Sequence, residues 1–328
     1  MDVTEWLLDS DPSIRWQVMR DLSDESTEVV AAERARVATE GWGARLLALQ
    51  GPDGQWGGGT YSPKWVSTTY TLLLLRLLGL DPTSPQARAA IGRVRDGVRW
   101  QRRSSGPFFD GETETCVNSM VVALGAYFGE RGADQQRLLG WLLGEQLDDG
   151  GWNCEAPVRS HRSSFNTTIL ALEALLEVER SDGPVPLIAA ARARGEEYLL
   201  ERRLFRSRST GAVVDSNWRL FSFPPQWHYD VLRGLEYFRS TGVAPDERCA
   251  EAIDLVRSRR QEDGRWLLQH THRARTHFEM EDGDGRPSRW NTLRALRVLR
   301  WYEGAPAPAP AASATAAATN AADASAAR

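Results

Sequence analysis

Two cysteines and a histidine stand where thiol and imidazole chemistry could meet. Cys116 lies in the first turn of an apolar segment, "TCVNSMVVALGAYFG" (115–129), Cys154 ends the turn "DDGGWNC", and His228 falls in "FPPQWHYD" at the head of another apolar segment. Soft sulfur plus imidazole suits Zn²⁺, and a coordination position left open suits catalysis. A plainer reading stands beside it: a free cysteine packs as a small hydrophobe, and His228, next to Tyr229 and Asp230, can serve as a hydrogen-bonded surface residue. Asp230 and Glu112 are the carboxylates placed for acid/base work. Cys249, in "DERCAEAI", reads as packing. "HTHRARTHFEME" (270–281) adds three histidines of weak spacing logic. Its Arg273 and Arg275, with Arg159, His161 and Arg162, could hold an anionic group such as a diphosphate, although a solvated charged loop explains them equally well.

These residues need elements to position them, and the repeats define those elements. "QGPDGQW" (50–56), "QLDDGGWNC" (146–154) and "RQEDGRW" (260–266) place Gln or Arg, then Gly, then Trp at one spacing. Weaker echoes near 101–109 and 206–215 halve the interval to a period of about 50 residues, the signature of a repeat architecture. Each period holds a glycine turn, a polar stretch, an apolar helix, a short connection and an amphipathic helix. The apolar helices are expected over 13–22, 67–80, 115–129, 164–177, 227–238 and 289–302, with amphipathic ones such as 134–147 and 248–260 between them. Helices apolar on most faces belong inside and amphipathic ones outside. The pattern therefore predicts an all-α fold, an (α/α)6 toroid of about six inner and five to six outer helices. It spans residues 1–303 as one domain, and residues 304–328 form a disordered Ala/Pro-rich tail. The Asp-Gly pairs mark left-handed turns, each tryptophan lies back on a helix end, and Gln50 and Gln146 bond exposed backbone. Asn118, Asn166, Asn291, Thr167 and Thr292 fall near equivalent helix starts as caps or bridges.

Composition limits the partners. Net charge is −4, with 41% hydrophobic and 26% charged residues, so no basic field argues for nucleic acid. No run approaches the ~18 apolar residues of a transmembrane span; "TLLLLRLLGL" is broken by Arg76. The acidic opening "MDVTEWLLDSD" is unlike a signal peptide, and three scattered cysteines are no disulfide framework. A soluble cytoplasmic protein is expected.

"QGPDGQW" and "QLDDGGW" resemble the QW motif of squalene and terpene cyclases, and the DGGW-type turn recurs in protein prenyltransferase β subunits. More closely, "DGGWNC", "SFNTT", "FPPQWHYD" and "SRWNTLRALR" are similar to short bacterial proteins described as squalene cyclase-like or prenyltransferase-like. The resemblance implies a toroid acting on an isoprenoid or similar apolar ligand in a central funnel, with Trp65, Tyr70, Phe165, Trp227 and Trp290 lining its mouth. From the prenyltransferases it also implies a rim zinc, because Glu114-Thr115-Cys116 stands where that family has D-x-C. Glu114, Cys116, Cys154 and His228 would be the ligands. Three departures stand against this set: Glu replaces Asp, His228 lies two repeats past Cys116 rather than one, and Cys154 has no counterpart. A Cys, Cys, His site is also similar to that of lanthionine cyclases, whose C-H-G and W-C-x-G motifs are absent. No D-x-D-D or D-D-x-x-D run occurs, so neither standard cyclase mechanism is implied. The alternative is a non-catalytic toroid that binds a lipid or partner.

Overall fold

A computed structural model describes residues 2–101, 103–156 and 158–304; the tail assigned to 304–328 lies, Gly304 apart, outside them. In chain order the helices are α1 (Val3–Leu8), α2 (Pro12–Asp21), α3 (Thr27–Ala35), α4 (Gly41–Ala48), α5 (Thr68–Leu78), α6 (Pro85–Gly97) and α7 (Thr115–Phe128). They continue with α8 (Ala133–Gly144), α9 (Phe165–Asp182), α10 (Pro186–Leu200), α11 (Val231–Ser240), α12 (Ala250–Ser258) and α13 (Arg289–Tyr302). Among the described residues there are isolated β-bridges but no strand.

Contacts close the inner helices into a ring. α5 packs on α7, α7 on α9, α9 on α11, α11 on α13, and α13 on α2. The circuit is completed where α2 bonds the end of α5, Trp16 Nε1–H donating to the Leu78 carbonyl at 2.9 Å and Gln17 to that of Leu77 at 3.3 Å. Outside lie α4 on α2 and α5, α6 on α4 and α7, α8 on α7, α10 on α9, α12 on α11 and α13, and α1 on α2. The architecture is the all-α toroid that the alternation of apolar and amphipathic segments predicts.

The repeated turns hold the two layers together. Gly54, Gly150 and Gly264 sit at φ 82°, 94° and 82°, the left-handed region that favours glycine. For Gly54 and Gly150 an added Cβ would also meet the carbonyl of Arg93 or Arg194 at 2.5 Å. Trp56, Trp152 and Trp266 are wholly buried. Their indoles donate back to the carbonyls of Leu46, Leu142 and Val256 on the preceding outer helix, at 2.7, 2.8 and 2.8 Å. Their backbone N–H groups donate forward to the hydroxyls of Thr68, Thr168 and Thr292 on the next inner helix. Gln50 and Gln146 each donate to the glycine carbonyl of their own turn and to the next outer helix, at Ala90 and Ala191. The Trp56 and Trp152 turns thus each tie three helices and the Trp266 turn ties two, with partnered polar groups.

The interior corrects one expectation: the ring does not enclose an apolar funnel. Arg76 on α5 pairs with Glu177 on α9, two helices that are not neighbours in the ring, so the pair crosses its interior. Arg233 on α11 forks onto Glu173 of α9 at 2.8 and 2.8 Å. Arg297 on α13 grips Glu236 of α11 and reaches Gln17 at 2.7 Å and Asp21 at 3.3 Å on α2. Arg294 and Arg239 approach the same carboxylates. Burial opposes the charge on Asp21, but the Arg20 hydrogen bond and the charges of Arg20, Arg239 and Arg297 outweigh it and hold this carboxyl far below its ordinary range. A charged side chain on an otherwise apolar inner helix needs a partner across the ring, and here each named one has it.

Candidate functional site

The site lies at the rim formed by the starts of the inner helices. The segment before α11 ends at Asp230, which caps the helix: Oδ1 accepts the Arg233 N–H at 2.7 Å and Oδ2 accepts the Ser222 hydroxyl at 2.9 Å. His228 therefore does not open the helix, as its sequence position implied, but stands in the turn before the cap. Its carbonyl accepts from Arg233 Nη1 at 2.7 Å.

A long connection, residues 267–287 between α12 and α13, crosses the rim as a strap. Trp65 pins it twice, its indole N–H donating to the His272 carbonyl at 2.8 Å and its backbone N–H to that of Arg275 at 3.0 Å. Thr71 of α5 bonds His277 at 2.9 Å, and the Arg45 guanidinium stacks 3.8 Å over the Phe278 ring. At the far end Glu281 accepts from Ser288 Oγ and Trp290 N. Burial raises this carboxyl to about 7.

Between strap and rim is a cavity of about 520 Å³ lined by Trp65, His228, His270, Thr271, His272, Arg273 and Asp284. Trp227, His228 and His272 form a stack, with centroids 3.7 and 3.8 Å apart; Trp65 sets its edge towards His228, and His270 packs edge-on against His272. Burial lowers His228 to about 3, helped by the charges of His272, Arg233 and Lys64. Burial and His270 lower His272 to about 4. Two face-to-face imidazoles disfavour each other's protonation, so both stand uncharged at neutral pH.

Proton placement follows from the bonds. Ser222 gives its one hydroxyl proton to Asp230, so the 3.2 Å contact between His272 Nε2 and Ser222 Oγ requires the proton on Nε2. Nδ1 of His272 is then the ring's free lone pair. The Ser222 N–H adds a 3.3 Å bond to Asp230, and Arg294 Nη2 lies 3.8 Å from it. His272, Ser222 and Asp230 are one chain from cavity wall to buried carboxylate.

The four residues expected as zinc ligands are not brought together as one group. Among the described residues no group of three or more His, Cys, Asp or Glu side chains could hold a metal ion. His228 is committed to the aromatic stack. Cys116 and Cys154 do meet, thiol against thiol, and the contact separates them: it lowers Cys154 to about 6 and, with burial, pushes Cys116 well above the usual thiol range. Glu114 precedes α7 without a side-chain capping bond and lies 3.4 Å from Arg103. The donor set does not fit the implied metal, and no step is routed through one.

The other sequence candidates divide by position. Trp65 lines the cavity, and Trp227 backs it through His228. Tyr70 is buried behind Trp65, ring edge to face at 4.7 Å. Phe165 belongs to a packed cluster with Tyr198, Trp218 and Tyr229, and Trp290 stacks on Phe223 at 4.4 Å. Neither reaches the cavity wall. Glu112 is buried and accepts backbone N–H groups of Arg103 and Thr113, bracing a loop. Arg159, His161 and Arg162 are exposed and not part of the cavity lining. Asn118, Asn166 and Asn291 bridge loops, to Glu112, Tyr229 and Phe221.

Sequence reasoning missed Ser222, which no local signal marks, and Lys64. Lys64 carried a signal: among 40 Lys and Arg residues it is the only lysine. Its ammonium lies 5.8, 5.4 and 5.2 Å from the ring centroids of Tyr61, Trp65 and Trp227, beside the histidine stack.

No described helix is long and apolar enough to cross a membrane. No protein-family model matches the chain, and no curated protein matches it. Among solved structures the chain is similar to the type II terpene cyclase MstE from Scytonema, determined in complex with its substrate geranylgeranyl dihydroxybenzoate. The identity is 17% and the TM-score 0.41, over 88% of this chain and 85% of that one.

Proposed function

We infer that the strapped rim cavity is the reaction site of a terpenoid cyclase-like enzyme, which binds an isoprenoid or similar apolar ligand there and removes a proton from it. The observation that carries this reading is the His272–Ser222–Asp230 chain reaching an open groove of about 520 Å³ walled by Trp65 and three histidines. Aromatic faces suit both prenyl chains and cationic intermediates. His272 Nδ1 takes the proton, and Asp230, through Ser222, stabilises the resulting imidazolium. An imidazole lowered to about 4 is a weak base. That strength suffices where the proton lost is acidic, as beside a carbocation, and it leaves the base uncharged at pH 7. The ion-paired interior is the ground for reading the ligand at the rim rather than along the ring axis. That same filling favours the second reading, a toroid that binds an apolar ligand without turning it over.

The test is incubation with prenyl alcohols, epoxides and diphosphates, with products read by mass spectrometry, for the wild type, His272→Gln and Ser222→Ala. Turnover falling by about 10²-fold or more in His272→Gln, with bound ligand retained, supports the reading. Unchanged turnover in both variants removes His272 as the base. Binding without any product in the wild type favours the non-catalytic alternative.

A further inference from the structure

We propose that Cys116 and Cys154 form a reversible disulfide when the protein meets a hydroperoxide, Cys154 being the residue oxidised first and Cys116 the one that closes the bond. The cyclase-like reading uses neither thiol, and the pair stands independently of it. Two separate parts of the fold assemble it. Cys116 sits half-buried in the first turn of α7. Cys154 is exposed on the turn before α9, two residues past the wholly buried Trp152. That turn is held in place: the Trp152 N–H donates to Thr168 Oγ1 at 3.0 Å, the Cys154 N–H to Thr167 Oγ1 at 3.3 Å, and Asn153 Nδ2 to the Arg162 carbonyl at 2.7 Å. Because α7 and α9 pack on each other, the thiols meet across a fixed junction. Folding has already supplied the loop closure that a bond between distant cysteines requires.

Exposure and hydrogen bonding give the two sulfurs different roles. A cysteine kept for packing hides its sulfur, as buried Cys249 does, whereas Cys154 faces solvent. The Cys116 S–H and the Thr167 O–H both bond the Cys154 sulfur and favour its thiolate, lowering it to about 6. The same contact, with burial, keeps Cys116 protonated. The thiolate is the nucleophile. It attacks one oxygen of the hydroperoxide, the O–O bond breaks, and the departing oxygen takes a proton from water and leaves as water or an alcohol. Cys154 is then a sulfenic acid. The Cys116 sulfur attacks that sulfur, the S–S bond forms, and hydroxide leaves with the Cys116 proton as water. In sum, two thiols give up two electrons and two protons, and one hydroperoxide is reduced. Exchange with an external thiol restores the pair.

Peptide mapping of the full chain tests this. Protein that has been reduced, freed of reductant and exposed to a small excess of hydrogen peroxide is alkylated, cut with trypsin and read by mass spectrometry. The expected product joins peptides 104–131 and 138–159 and disappears on adding dithiothreitol. Titratable thiols should fall from three to one, Cys249 remaining. In Cys116→Ser, dimedone should label Cys154, whose sulfenic acid then has no partner. In Cys154→Ser, peroxide should consume Cys116 about tenfold or more slowly than it consumes Cys154 in the wild type. A wild-type chain in which Cys116 and Cys154 both remain open to alkylation overturns the proposal. So does Cys154 oxidised straight to sulfinic acid, or joined to Cys154 of a second chain. The wild-type map decides the matter even where a variant fails to fold.

Discussion

Replacing Glu236 by glutamine tests the ionic interior most directly. Burial works against the Glu236 carboxylate, yet the charges of Arg297, Arg239 and Arg294 hold it below the ordinary glutamate range. Glutamine keeps the shape and removes the charge, leaving three guanidiniums around a neutral amide. Were the pairs equivalent to surface salt bridges, the loss would be at most about 1 kcal/mol. With Arg297 and Arg294 only 8% and 5% exposed along their side chains, breaking a buried pair applies instead, at about 3–5 kcal/mol. An unfolding entropy of about 2.1 cal/mol/K per residue over roughly 300 residues is about 0.6 kcal/mol/K, so a loss of about 4 kcal/mol lowers Tm by about 6 °C.

Differential scanning calorimetry of the wild type, Glu236→Gln and the double variant Glu236→Met/Arg297→Met reads this out. The double variant should recover much of the loss, because well-packed apolar replacements of a buried pair are near neutral. Asp254→Asn, at an exposed pair with Arg257, should leave Tm within about 1 °C. The lowered carboxyl also fixes the sign with pH: its contribution is present above the unfolded value of 4.5 and is lost as pH falls through the lower folded value. The gap between wild type and Glu236→Gln must therefore narrow below about pH 4.5. A drop under about 2 °C at neutral pH, or a gap that widens in acid, refutes the argument.

Trp152→Phe removes the indole bond to Leu142 and leaves a buried carbonyl unpaired, so urea denaturation should show a loss of about 1–3 kcal/mol; no change would mean the clamp is packing alone. His228 and His272, lowered to about 3 and 4, should remain uncharged in ¹⁵N–¹H spectra near about pH 5.5, with the His272 proton on Nε2, whereas free imidazole is mostly charged there. Because their folded values lie below the unfolded 6.5, the stability they contribute is present above that pH and declines as pH falls through it. An imidazolium signal from either ring near about pH 5.5 would contradict the stacked neutral pair. Alkylation of Cys154 by iodoacetamide should rise through about pH 6 in the wild type. In Cys116→Ser the inflection should move towards the ordinary thiol range near about 8.5. An inflection near about 8.5 in the wild type would mean that the thiol contact does not form.

The toroid was legible because its signals are local and repeated. Expected helices at 67–80, 115–129 and 289–302 meet Thr68–Leu78, Thr115–Phe128 and Arg289–Tyr302, and the Gln, Gly and Trp spacing pointed to the turns that tie the layers. The interior was not legible, since the pairs that join different helices link positions far apart in sequence. Arg76 and Glu177 are separated by 101 residues, and along the chain Arg76 showed only as an interruption of "TLLLLRLLGL". The residues expected as zinc ligands are not gathered at one point, for a related reason: placing residues at helix starts on one rim does not fix their azimuth around it. Cys116 and Cys154 come together, while His228 is turned into the tryptophan stack by the Pro224–Pro225 segment and the Asp230 cap.

The filled centre bears on where chemistry can reside. A ring of inner helices could offer its axis to a ligand, but here Arg76, Arg233, Arg294 and Arg297 are each matched by carboxylates or carbonyls. A ligand entering there would have to replace bonds that already satisfy buried charge, at the cost of stranding an ion. At the strapped rim a pocket of about 520 Å³ is open to solvent, and His272 in its wall holds a lone pair on Nδ1. Ligand affinity should fall with Trp65→Ala, which removes a wall of the cavity, and be indifferent to Arg76→Met paired with Glu177→Met. That double change empties an interior pair of its charge without touching the rim, and a ligand that lost affinity with it would place the binding site inside the ring after all.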